Sequence, residues 1–151
     1  MCSSDLEDLL QRGISLCRSI GDTRQLEECQ AILGNALFYR SAFEQSRQAW
    51  REVLRSATER NDPQIVCWGR LGQAVCLLRL GRHPEALAIL EEAMPWVDAS
   101  AASADVLWAY GLLAVARLRA GRREEARAAA DKALAEMRAA RPVVYWMQPA
   151  L

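Results

Sequence analysis

Apolar residues recur at three- and four-residue steps along most of this chain, the spacing of one stripe on a helix. Between positions 84 and 97 the stripe is Ala86, Leu87, Leu90, Ala93, Met94 and Val97. No stretch alternates apolar and polar residues between turn signals, so no strand is expected and the fold class is all-α. Turn chemistry punctuates the stripes. Asn61-Asp62-Pro63 is a polar cap followed by a proline at a helix start, where its missing N–H costs nothing. Gly81 supplies the left-handed residue that ends helices. Pro84-Glu85 opens the next helix with an acid near its positive end, and Pro95 is expected to disturb or end that helix near Trp96-Val97. These signals predict helices near 4–19, 23–39, 43–59, 63–80, 84–97, 102–120 and 123–140, with a further one after Pro142. That makes seven or eight helices joined by short loops, the break at 98–102 excepted.

The chain also matches itself at an offset of 40 residues. Aligning 68–94 with 108–134 gives 11 identities over 27 positions without a gap, among them Trp68 with Trp108, Arg79 with Arg119, Gly81 with Gly121 and Ala93 with Ala133. Chance would give about two. Carried backwards, the offset places Gly81 on Ser41, Leu90 on Trp50, and Trp50 on Leu10. Residues 1–20 therefore read as the second helix of a half repeat, followed by repeats at 21–60, 61–100 and 101–141 and the start of another helix at 142–151. A fixed period in this range signals a stacked array whose units cannot bury their apolar faces alone. The small residues Ala86, Ala93, Ala126 and Ala133 let paired helices approach closely, and Trp50 falls where a second helix meets its partner, a core position.

Leu33-Gly34-Asn35-Ala36-Leu37-Phe38-Tyr39 resembles the first helix of a tetratricopeptide repeat, and Leu80-Gly81-Arg82-His83-Pro84-Glu85-Ala86-Leu87 the turn into its second helix; Ala120-Gly121-Arg122-Arg123-Glu124-Glu125-Ala126 repeats that turn. The period of 40 departs from the usual ~34, and Gln73 stands where leucine is usual. The resemblance implies a right-handed α–α superhelix that binds proteins or peptides on a concave face lined by first helices. Repeats of this longer form are similar to those of bacterial signalling proteins, where they follow ATPase, cyclase or transcription-regulator domains. No Gly-rich phosphate loop is present in this chain.

Composition narrows the function. Nineteen basic and 19 acidic residues cancel, which argues against nucleic acid and anionic membrane as partners. Residues 1–30 carry three basic residues against six acids, whereas 101–151 carry eight against five. No apolar run reaches the ~20 residues of a membrane helix, and the acidic N-terminus is no signal peptide. Cys2, Cys17, Cys29, Cys67 and Cys76 form no C-x-x-C pair; they read as reduced, packed thiols of a cytoplasmic protein.

Candidate chemistry is sparse. His83, the single histidine, sits in a turn and has no nucleophile partner in the pattern. The pairs Glu27-Glu28, Glu91-Glu92 and Glu124-Glu125 are sequence neighbours about 100° apart on a helix, not facing acid–base pairs. No cluster has metal-ligand spacing. Neither catalysis nor any cofactor or metal is expected. By the family pattern, positions such as Asn35 and Tyr39 look into the concave groove, with Arg79 and Arg119 standing where Tyr39 stands one and two repeats earlier. Two arginines and a tyrosine at that place suit a carboxylate or phosphate; the alternative is that both arginines solvate the helix end and its negative dipole. Trp68 and Trp108 are either repeat packing or aromatic anchors of the same groove. The expected function is a non-catalytic protein–protein interaction scaffold in a larger bacterial signalling protein; the alternative is a sensor that binds a small acidic ligand or short peptide in the groove. The apolar segment 143–151 is an uncapped edge: either more repeats follow it, or it docks on a partner or on a second copy.

Overall fold

The computed structural model describes residues 3–99 and 103–139. Among them are seven helices: α1 (Ser3–Ile20), α2 (Thr23–Tyr39), α3 (Phe43–Glu59), α4 (Pro63–Arg79), α5 (His83–Ala99), α6 (Ser103–Arg119) and α7 (Arg123–Ala139). The helix expected after Pro142, the 143–151 edge and most of the 98–102 break lie outside the described residues. One expectation needs correcting: α5 continues through Pro95 to Ala99 instead of ending near Val97. Ala93 and Val97 on either side of the proline are fully buried, and that packing offsets the one helical hydrogen bond the ring removes.

The period of 40 has a local origin. From α2 onward every helix has 17 residues, and the turns after α2, α3, α4 and α6 take three more. Each described turn ends in the same hydrogen-bonded motif. Ala42, Asp62, Arg82 and Arg122 donate their N–H groups to the carbonyls of Leu37, Ala57, Leu77 and Arg117, at 2.9–3.0 Å; Asp22 does the same to Cys17 at 3.0 Å. The residue before each donor is left-handed: Gly21, Ser41, Asn61, Gly81 and Gly121 have φ between 55° and 78°. This motif satisfies the last helical carbonyls and reverses the chain in the fewest residues. Asp22 and Asp62 then cap the next helices by accepting from the N–H groups of Gln25 and Ile65.

Each helix packs antiparallel on the next, and α2 also touches α4, as α4 touches α6. No comparable packing joins α1, α3, α5 and α7 to one another. Closely spaced first helices and splayed second helices bend the stack, with α2, α4 and α6 on its inner side. The largest buried cluster runs from Ala31 and Phe38 through Trp50, Leu71, Leu90 and Leu112 to Ala129; a smaller one joins Leu10 and Ile14 of α1 to Leu33 and Leu37 of α2. Trp50 is the wedge of the array. Its ring lies against the bare backbones of Gly34 on α2 and Gly72 on α4, and its centroid is 6.4 Å from that of Trp108 on α6. One side chain of α3 thus touches or approaches all three first helices.

Candidate functional site

The six residues expected to line the groove have diverging environments. Tyr39, Arg79 and Arg119 are all exposed at the C-terminal ends of α2, α4 and α6. The Tyr39 ring stands nearly perpendicular to that of Phe38, with centroids 6.1 Å apart. Arg79 lies over the Phe43 ring, its guanidinium carbon 5.3 Å from the centroid, a cation–π contact that ties α4 to α3. Arg119 is exposed where the second repeat has Arg79. Asn35 is half-buried on α2, one turn before Tyr39.

The two tryptophans that share a repeat position are used differently. Trp108 is buried in the core beside Trp50. Trp68 is half-buried, and its indole N–H donates to Asp105 Oδ1 at 2.8 Å, linking α4 to α6. Asp105 is itself buried, and burial pushes its carboxyl above the usual range, partly countered by the indole hydrogen bond. A carboxylate inside the stack was not legible from its spacing, because Asp105 lies in a first helical turn, where an acid ordinarily serves the helix dipole.

A second buried acid was also missed. Glu27, 2% exposed, accepts from Ser56 Oγ at 2.7 Å and from the Arg60 guanidinium at 2.7 and 3.1 Å. Arg60 also reaches Asp62 at 3.1 Å. This bidentate pair fastens α2 to the end of α3. Its neighbour Glu28 stays on the surface as half of an ion pair with Arg24. The exposed pairs Glu91-Glu92 and Glu124-Glu125 are solvated faces. His83 is the first residue of α5.

The thiols are packed rather than poised. Burial raises the Cys67 thiol to about 12, helped by the nearby Asp105 carboxyl, and the Cys76 thiol to about 11 against the hydrogen-bonding Ser46 hydroxyl. Cys17, Cys29, Cys67 and Cys76 are unbridged. Among the described residues no three His, Cys, Asp or Glu side chains could hold a metal ion, and no helix is long and apolar enough to cross a membrane.

Stacked helical hairpins are the architecture of the α-solenoid repeat families, and among these the tetratricopeptide repeat model matches residues 66–139. These residues belong to the tetratricopeptide repeat family. The fold extends beyond the matched stretch. The crystal structure of the TPR domain of Arabidopsis FLU superposes with a TM-score of 0.70 over 78% of this chain and 99% of that one, at 19% identity. That likeness shows the fold, a right-handed α–α superhelix. No curated protein matches the chain. Tetratricopeptide arrays are generally protein-interaction scaffolds.

Proposed function

We propose that this tetratricopeptide array is a non-catalytic scaffold that recognises a protein or peptide partner, acting in the cytoplasm as a fragment or regulatory module of a larger bacterial signalling protein. The observation that carries this reading is the packing of α2 on α4 and of α4 on α6, while the second helices stay apart. In this reading that packing makes one continuous inner face, and Tyr39, Arg79 and Arg119, exposed at the C-terminal ends of α2, α4 and α6, border it. Arginine and tyrosine are the side chains that most often dominate a binding surface. In this reading Asn35 supports the groove wall, Trp68 fixes α4 against α6 through Asp105, and Trp108 acts by seating α6 against Trp50 of α3.

The test is a cross-linking pull-down from the source organism, comparing the wild type with an Arg79→Ala/Arg119→Ala variant of equal helicity. Capture of a partner by the wild type and its loss in the variant is the expected result. Equal capture by both moves the site off this face. Turnover of a substrate that disappears when one named residue is changed would overturn the non-catalytic reading.

A second reading, a sensor for a small acidic ligand or short peptide, rests on Arg79 and Arg119 occupying one place in successive repeats. A ligand of that kind raises the melting temperature by mass action. No shift with any acidic metabolite or peptide at saturating dose would remove it.

A further inference from the structure

The back of the array has its own repeating position, where one side chain of each first helix lies between two second helices. The offset of 40 makes Gln30, Arg70 and Tyr110 equivalent on α2, α4 and α6. The same offset makes Glu52, Glu92 and Lys132 equivalent on the following second helices, and Arg18, Thr58 and Asp98 on the preceding ones.

At two of the three places the set is tied together. In the third repeat Lys132 Nζ donates to Asp98 Oδ1 at 2.8 Å and to the Tyr110 hydroxyl at 2.7 Å, and that hydroxyl donates to Asp98 at 2.6 Å. In the second, the Arg70 guanidinium donates to the Glu92 carbonyl at 3.3 Å and lies 3.7 Å from its carboxylate. A cation held by the array fills both places.

The first place has no such tie. Arg18, Gln30 and Glu52 line an open groove of about 460 Å³ between α1 and α3, floored by α2. Gln30 is 5% exposed, and its buried Oε1 accepts no hydrogen bond. A buried acceptor left without a donor is costly, and the usual explanation is a missing partner. The floor also carries Ile14, Leu33, Leu37 and Ala49. Around the rim stand Glu7, Asp8 and Glu52 against the single cation Arg18. Glu7 is engaged by Arg40. Glu52 accepts from Gln48 and Arg55, which leaves its carboxylate with further acceptor capacity.

We infer that this groove is a second binding site, on the face opposite the one proposed above, and that it takes an arginine side chain of a partner peptide. The array supplies the template. Arg70 fills the equivalent place beside Glu92, and Gln30 with Glu52 is the same pair with the guanidinium removed. An incoming arginine lays its apolar stem on Ile14, Leu33 and Leu37 and turns its donors to Gln30 Oε1 and the Glu52 carboxylate. The acidic rim favours a cation, and the volume suits one long side chain with its adjoining backbone. The inference does not depend on the α2–α4–α6 face being used.

The test titrates isotope-labelled protein with acetyl-Ala-Arg-Ala-amide and, as a neutral isostere, with the same peptide carrying citrulline. NMR reads the shifts. Expected are saturable shifts of the Gln30 side-chain amide and of backbone amides near Ile14 and Ala49. Binding should weaken about tenfold with citrulline, and by a similar factor in Gln30→Met, which keeps the volume and removes the acceptor. Glu52→Gln, on a partly exposed position, is the companion variant should Gln30→Met lose its dispersed spectrum. Absence of saturable shifts, equal binding of both peptides, or shifts confined to α2, α4 and α6 residues of the inner face overturns the inference. The pull-down on the inner face can succeed or fail independently, because neither Arg79 nor Arg119 lines this groove.

Discussion

Ser41 and Asn61 do with ordinary side chains what Gly21, Gly81 and Gly121 do without one: they hold φ at 62° and 55° so that the chain can reverse. A side chain in this conformation costs about 1 kcal/mol, less for asparagine. Ser41→Gly is therefore expected to stabilise the array by about 0.5–1 kcal/mol, the gain being trimmed by the freer unfolded chain. Gly81→Ala is expected to cost about 1 kcal/mol. Urea denaturation of the two variants checks both signs. Asp105 makes a residue-scale prediction of another kind. Its folded carboxyl titrates above its unfolded value, so between the two values the native state holds a proton that the unfolded chain has lost. The stability linked to this group is thus present in acid and is lost as pH rises through the raised folded value. Asp105→Asn keeps an oxygen acceptor for the Trp68 indole and removes the buried charge. Its melting temperature should exceed that of the wild type at pH 7, with the difference shrinking toward pH ~4. A difference that does not change with pH would show that burial of the charge is not the cause.

At the scale of the helix, spacing is set by what one helix leaves out so that its neighbour can enter. A Cβ built on Gly72 would lie 2.1 Å from Cδ2 of Trp50, and one on Gly34 2.8 Å from its Nε1. Both glycines are helix-interior positions where the residue is otherwise unfavourable. The close approach of the indole is the reason for them. Gly72→Ala should cost about 2–3 kcal/mol by overpacking, despite its better helix propensity. In a Trp50→Leu background the same change should cost less than about 1 kcal/mol, a coupling that a double-mutant cycle by chemical denaturation measures directly. Additive costs would mean that α4 yields elsewhere. Gly34 was visible in the sequence as part of the Leu-Gly pair of a first helix. Gly72 also follows a leucine, Leu71, but its need for a bare backbone comes from Trp50, 22 residues earlier on another helix, which spacing does not show.

At the scale of the whole stack, contacts among the described helices run between neighbours and next neighbours, with none joining α1 to α7. Such an array loses structure from its termini inward. Among the described helices, α4 packs on α2, α3, α5 and α6, whereas α1 packs on α2 alone and α7 on α6 alone. Amide hydrogen exchange should be slowest in α4, where residues 71–77 are all buried, and fastest in α1 and α7. Uniform protection would indicate one cooperative unit instead.

The sequence alone determined the helices, their order and the repeat, because these rest on local rules: apolar residues at three- and four-residue steps, an aspartate or proline near the start of α2, α4 and α5, and a left-handed residue every twenty positions at the described turns. It also placed Trp50 in the core and Tyr39, Arg79 and Arg119 at equivalent helix ends. Tertiary structure decided how equivalent residues differ. Trp68 and Trp108 share a register, yet one hydrogen-bonds a buried carboxylate at a repeat junction and the other fills the core. Glu27 and Glu28 read alike, and only the arrival of Arg60 and Ser56 from α3 separates the buried acid from the solvated one. The offset aligns Gln30 with Arg70 and Tyr110, but only the packing of α1 and α3 around α2 leaves the Gln30 side-chain oxygen open in a groove. The physical reason is common to all three cases. Periodicity fixes which way a side chain faces, whereas its partner comes from a helix that the chain reaches only after folding back on itself.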